Sequence, residues 1–270
     1  MSNISAADVA KLRRMTGAGM MDCKKALEEA AGDFEKAREI IRKRGQAIAN
    51  KRADREAAEG VVLARTTADG TKGMIISLNC ETDFVAKNAD FIALGNNILD
   101  IALKTSPADL EALKNTSVDG RKVTDLIIEK SGITGEKFDL SFFGSISAPL
   151  VQAYIHPGNK LATPVGFSKA GIDLQVYKDV AMQVAAMNPV SVDRDDVPEN
   201  ILAQELEIAR EQARNEGKPA DILDRIAQGK MNRFFKESTL MNQEFIKDNK
   251  LSIRQYLDSN DKELKVTGFI

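Results

Sequence analysis

Between Gly73 and Ile101 the chain changes its hydrophobic period, and that change limits its fold more than any other feature. Gly73-Met74-Ile75-Ile76-Ser77-Leu78-Asn79 reads as a buried strand, whereas Phe91, Leu94, Ile98 and Ile101 recur at helical spacing. A core that takes a strand and the following helix together belongs to the α+β class. Between them lies the polar corner Cys80-Glu81-Thr82-Asp83-Phe84-Val85. Thr82 and Asp83 suit a helix start, because a short side-chain oxygen can accept an unpaired backbone N–H there. Phe84 follows with no covering turn before it, so its ring is expected to point outward, as aromatic contact residues do. On the residues alone a plainer reading stays open, in which Asp83 only caps and Phe84 fills the core.

Upstream, residues 1–55 read as a small helical module and linker. Ser5 can cap a helix with Val9, Leu12 and Met15 on one side. Thr16-Gly17-Ala18-Gly19 forces a tight turn, and a second helix runs over about 21–31. Gly32 ends it and Asp33 caps a third, striped by Phe34, Ala37, Ile40 and Ile41, with Gly45 as its terminator and a basic, alanine-rich linker over 47–58.

From Gly60 the pattern is of strands, over 60–67 and 73–79, joined through Ala68-Asp69-Gly70, a hairpin signal. The helix after Phe84 and a polar helical stretch to about Lys130 complete a subdomain over 56–139. Residues 140–270 repeat the theme: strands over 140–147, 150–156 and 161–169, a turn at Pro157-Gly158-Asn159, and a helix over about 173–187 stopped by Pro189. Inside this half a helical hairpin spans about 198–237. Its apolar positions are Ile201, Leu202, Leu206 and Ala209, then Ile222, Ile226 and Phe234, around a turn at Glu216-Gly217-Lys218-Pro219. A last strand covers 264–270.

Composition excludes several classes of function. With 43% hydrophobic and 29% charged residues the chain is of ordinary globular type, and no apolar run approaches the ~20 residues of a membrane span. The start, Met1-Ser2-Asn3-Ile4, lacks the basic and apolar regions of a secretory signal, and the only cysteines are Cys23 and Cys80, so a reducing cytoplasm is expected. A single histidine leaves no zinc site of usual spacing. A formal charge of −2 argues against nucleic acid as the main partner. The basic cluster Arg42, Lys43, Arg44, Lys51, Arg52 and Arg55 reads as a solvated helix end and linker before it reads as a docking patch. No phosphate-cradling loop of the GxxxxGK[ST] type occurs anywhere in the chain.

The run from Leu78 to Asn88, with Thr82-Asp83-Phe84-Val85 at its centre, closely resembles a signature of the bacterial elongation factor Ts family. A second segment agrees: Leu12-Arg13-Arg14-Met15-Thr16-Gly17-Ala18-Gly19-Met20-Met21-Asp22-Cys23 is similar to that family's N-terminal signature. A stretch from Gly229 through Gln243 and Phe245 resembles a third. The resemblance implies a ubiquitin-associated-like three-helix module, a core of two related α+β subdomains, and a protruding coiled-coil hairpin. It implies a guanine-nucleotide exchange factor for elongation factor Tu: the factor binds the GDP form, disrupts the magnesium and phosphate site, and promotes GDP release. No cofactor and no nucleotide site of its own are implied. The Asp83-Phe84 pair, flanked by Thr82 and Val85, would enter near the magnesium site, with Arg13, Met20, Met21 and His156 as further partner contacts. A homodimer and a heterotetramer with elongation factor Tu both fit.

The chain departs from the family pattern in four places. Pro157 follows His156 where the family has glycine, Ser77 stands for a glutamate, and Glu244 for a proline. Many relatives continue past Phe269-Ile270 into another strand and a short helix, so contacts assigned to that extension are not expected here. Two other functions compete. One is a ubiquitin-associated-like adaptor without exchange activity, which leaves the Asp83-Phe84 corner unexplained. The other is a cysteine hydrolase using Cys80, His156 and Asp83, for which the sequence has neither a glycine-rich nucleophile turn nor a second base. A lone histidine such as His156 is commonly a turn residue, and both cysteines read as packed side chains.

Overall fold

The computed structural model describes residues 4–217, 219 and 222–270. The chain is mixed helix and strand and divides into two compact units, one from residues up to Leu63 and Ile76–Gly144, the other from Ala64–Ile75 and Ser145–Ile270. The first unit begins with helix α1 (Ala6–Thr16), where Ser5 and Asp8 form a capping box: the Asp8 N–H donates to Ser5 Oγ at 3.1 Å and the Ser5 N–H to Asp8 at 3.2 Å. Gly17, at φ 74°, ends α1 in the left-handed conformation that its missing Cβ allows. Helices α2 (Met20–Glu29) and α3 (Phe34–Lys51) complete the module around Leu12, Cys23, Leu27 and Ala37. Met15 departs from the expected apolar side of α1: it is 46% exposed.

Gly45 does not terminate α3. The helix continues to Lys51, so the first residues of the expected linker over 47–58 are helical. A mid-helix glycine costs roughly 1 kcal/mol against alanine. Here it lets the α3 backbone approach Gly132 of a later helix, over Val123–Thr134, in van der Waals contact. The basic cluster is largely paired: Arg42 with Asp125, Lys43 with Glu39, Arg44 with Glu29, and Arg52 and Arg55 with Glu81.

Strands β1 (Glu59–Thr66) and β2 (Lys72–Cys80) meet at the expected hairpin, where Gly70 donates to the Thr67 carbonyl at 2.9 Å. After the one-turn helix α4 (Asp83–Ala86) comes α5 (Ala89–Thr105), which buries Phe91, Leu94, Ile98 and Ile101 as its period predicts. The expected polar helical stretch to Lys130 is interrupted. Helix α6 (Leu110–Asn115) gives way to strands β3 (Ser117–Val118) and β4 (Arg121–Lys122) before α7 (Val123–Thr134). Asp119-Gly120 makes the reversal, both at positive φ, which is the Asp-Gly hairpin chemistry. Strand β5 (Asp139–Ser147) joins β1 and β2 in a sheet of order β1-β2-β5.

In the second unit β6 (Leu150–Ile155), β7 (Ala162–Phe167) and β10 (Val266–Phe269) form an antiparallel sheet of order β10-β7-β6. Helix α8 (Leu174–Met187) packs on it through Tyr177, Val180 and Val184, with Tyr177 edge-on to Phe167 at 4.8 Å. Helices α9 (Glu199–Asn215) and α10 (Leu223–Ser238) make the hairpin. Lys218 of its turn lies outside the described residues, as do residues 1–3 of the start read for a signal. Three alanines and a methionine fill the seam: Ala209, Ala213, Ala227 and Met231 are buried, while Leu202, Leu206, Ile226 and Phe234 are half-buried.

The hairpin is rooted by a buried amide network. Gln183 Nε2 donates to Gln243 Oε1 at 3.2 Å, and Gln243 Nε2 donates to the Glu237 carbonyl at 3.0 Å. Three further elements lie outside the sequence expectation: β8 (Glu244–Phe245), β9 (Asp248–Ser252) and α11 (Ile253–Asn260). They are tied to α8 by Asp179, whose buried carboxylate accepts from Lys247 and Gln175 at 2.7 Å and from the Tyr256 hydroxyl at 2.9 Å. Burial alone would push Asp179 upward; the bonds from Lys247, Gln175 and Tyr256 outweigh it and hold the carboxyl below 3.8. The stability it contributes is therefore complete above the ordinary carboxylate value and lost as pH falls through the lower native one. Asp179→Asn is expected to cost about 1.5–3 kcal/mol at pH 7 and less at an acidic pH below the ordinary aspartate value. Urea midpoints at the two pH values check this; an equal loss at both would contradict it.

Candidate partner-binding surface

The corner after β2 is a single helical turn capped at its start, followed at once by the cap of the next helix. Thr82 is extended, at φ −123° and ψ 153°, and its hydroxyl oxygen accepts from the Val85 N–H at 3.4 Å. Asn88 then caps α5, accepting from the Asp90 N–H at 2.8 Å. So short a helix buries one residue, Ala86. Phe84 points away and is 83% exposed, so the plainer reading of it as core is wrong.

Asp83 occupies the first position of α4 and does not serve as the cap. Its carboxylate accepts from Lys87 Nζ at 2.6 Å, one helical turn on. That hydrogen bond and the lysine charge hold the Asp83 carboxyl below the ordinary aspartate value and raise Lys87. At neutral pH the corner thus carries an ionised acid beside a bare ring.

Two carboxylates to which the sequence reading gave no role hold this corner. Glu136 accepts from the Thr82 N–H at 3.0 Å and from its hydroxyl at 2.6 Å. Glu81 accepts from the Lys137 N–H at 2.7 Å and from Arg52 Nη1 at 2.9 and 3.0 Å. Burial would raise Glu81, yet the Lys137 N–H and the Arg52 and Arg55 guanidiniums keep it below the ordinary glutamate range. Glu81 lies inside the motif and could have drawn attention as an acid at a strand end. Glu136 carries no local signal.

At the other candidate contact, Arg13 is exposed in the last turn of α1, and Met20 and Met21 open α2 at 44% and 62% exposure. Met15 joins them, giving three flexible, polarizable side chains at one helix–helix corner. His156 belongs to the second unit. It is exposed at the end of β6, with Nδ1 3.0 Å from the Tyr154 hydroxyl and its backbone N–H donating to the Leu161 carbonyl at 2.8 Å. Ile155 and Leu161 beside it are 38% and 42% exposed. Pro157 is accommodated in this turn, which closes through Gly158 and Asn159 at positive φ.

Cys80 is fully buried and its thiol donates to the Thr82 carbonyl at 3.2 Å, so it is a packed residue of the corner. Cys23 is buried in the helical module. Among the described residues, no group of three or more histidine, cysteine, aspartate or glutamate side chains could hold a metal ion, and no helix is long and apolar enough to cross a membrane.

Comparison with known proteins adds an independent line. The family model described as Elongation factor TS matches residues 81–270. An elongation factor Ts of Porphyromonas gingivalis is 56% identical over 263 residues, covering 97% of this chain and 95% of the relative. Those of Amoebophilus asiaticus and Christiangramia forsetii are 52% and 51% identical, covering 98% and 100% of this chain and 97% and 98% of the relatives.

Proposed function

Because the chain belongs to the elongation factor Ts family, we propose that it is the guanine-nucleotide exchange factor for elongation factor Tu in translation elongation, and that Phe84 is its wedge. The observation that carries this reading is the bare Phe84 ring on a one-turn helix that Thr82 caps at its start. In this reading residues 1–55 are a docking module that contacts the partner through Arg13, Met20 and Met21. Residues 56–139 and 140–270 are two related subdomains; the first presents Thr82, Asp83, Phe84 and Val85, the second His156.

Magnesium bridges nucleotide phosphates to protein oxygens, so a ring and an acid that displace its surroundings loosen the nucleotide. Loosening it about a thousandfold requires ~4 kcal/mol of coupling between the two binding events. Burying one phenylalanine contributes only ~1.5–3 kcal/mol. The remainder comes from a distributed interface, above about 2,000 Å² in total for an assembly of this kind. Coupling is reciprocal, so GTP rebinding weakens the factor's hold and releases it for another cycle. No covalent step and no nucleotide site on this chain are needed.

Release of fluorescent GDP from elongation factor Tu, with and without micromolar amounts of this protein, tests the reading. Release should accelerate manyfold, and an unchanged rate would overturn it in favour of an adaptor.

A further inference from the structure

We propose that Glu81 and Glu136 are positioning residues for the Phe84 wedge, joined in a reciprocal clasp that fixes its base. The proposal rests on the exchange reading above and adds what makes the wedge stiff. Residues 81–82 and 136–137 each give one backbone N–H to a carboxylate of the other pair: Lys137 to Glu81 at 2.7 Å, Thr82 to Glu136 at 3.0 Å. The Thr82 hydroxyl adds a second bond to Glu136 at 2.6 Å. Arg52, just beyond α3, grips Glu81 through both carboxylate oxygens, and Lys137 Nζ donates to the Arg55 carbonyl at 2.9 Å. The Glu81 side chain is only 12% exposed, so the bonds it accepts are partly shielded from water.

The clasp answers a physical problem. An isolated helical turn is unstable, because nucleation fixes several dihedrals for one hydrogen bond. Helix α4 buries only Ala86, so its own packing cannot hold it. A ring that deforms a partner must have a base that does not yield, or the contact energy moves the wedge instead of the partner. The clasp acts on the two residues directly before the ring's helix, and its anchors are charge-assisted. Loss of the clasp leaves the ring free to bind but unable to press.

Exchange kinetics over a range of factor concentrations separate the two. Glu136→Ala is expected to lower the saturated GDP-release rate about tenfold while the half-saturating concentration stays within about twofold. Glu136→Gln keeps one acceptor and should fall between. Hydrogen exchange on the full-length protein should show faster exchange at the Thr82, Val85 and Ala86 amides in Glu136→Ala. Should that variant misfold, Glu136→Gln and Glu81→Gln carry the same readouts. A normal saturated rate, unchanged amide protection, or a pure rise in half-saturating concentration would overturn the clasp. Phe84→Ala runs alongside: if it exchanges normally the wedge reading itself fails, whereas a slow Phe84→Ala beside a normal, folded Glu136→Ala sinks the clasp alone.

Discussion

Phe84→Ala is expected to cripple nucleotide exchange and leave the fold almost untouched. The ring is 83% exposed, so the folded chain gains little from it. Substitutions at such positions usually stay within about 0.5 kcal/mol, and alanine is the better helix former. In a complex the same ring would be buried, and its loss would remove ~1.5–3 kcal/mol of contact. That corresponds to roughly a tenfold to hundredfold loss in the efficiency of GDP release. Phe91, 3% exposed on α5, is the natural control. Truncating it should cost ~3–5 kcal/mol of folding free energy, as for other core aromatics. Thermal melts and GDP-release rates on both variants decide the matter. A Phe84→Ala protein that melts early, or that exchanges at the normal rate, contradicts the reading.

The parts of this molecule legible in its sequence are those whose causes are local. Thr82 announces a helix start by chemistry that acts within three residues and caps as such a residue should, while Asp83, read with it, pairs with Lys87 instead. Ser5 caps α1 in the same way, and Asp33 caps α3. The outward ring at Phe84 follows from a corner that offers it nothing to pack against. Gly45 shows where this logic breaks. Glycine as a helix terminator is a local rule, but the α3 glycine is fixed by Gly132, which only the tertiary fold brings near. Glu136 is hidden for the same reason, since its hydrogen bonds reach back 54 residues to Thr82. Met15 follows the apolar spacing of Val9 and Leu12, yet it lies past the covered part of α1 and stays exposed. The short strands β8 and β9 have too few residues for a period to register, and their place is fixed by the Gln183–Gln243 amides.

The crossing of α3 and α7 supplies the second large effect, because its two glycines are not equivalent. A Cβ on Gly45 would sit 3.5 Å from Gly132 Cα, which is ordinary van der Waals contact. A Cβ on Gly132 would sit 2.1 Å from Gly45 Cα and 2.6 Å from its carbonyl carbon and oxygen, a distance no atoms tolerate. The obstacle is backbone, so no rotamer change relieves it and the helices must separate. Gly45→Ala therefore keeps the crossing and gains helix propensity, for a net change between zero and about 1 kcal/mol in favour of the fold. Gly132→Ala gains the same propensity but loses ~1–3 kcal/mol to overpacking. The helical module carrying Arg13, Met20 and Met21 is attached through this contact, so Gly132→Ala should also make α3 amides exchange faster. Denaturant midpoints and hydrogen exchange on the pair give the answer. Equal stabilities for the two variants would mean that the backbones do not approach so closely, and that the module is held by its ion pairs, Arg42–Asp125 among them.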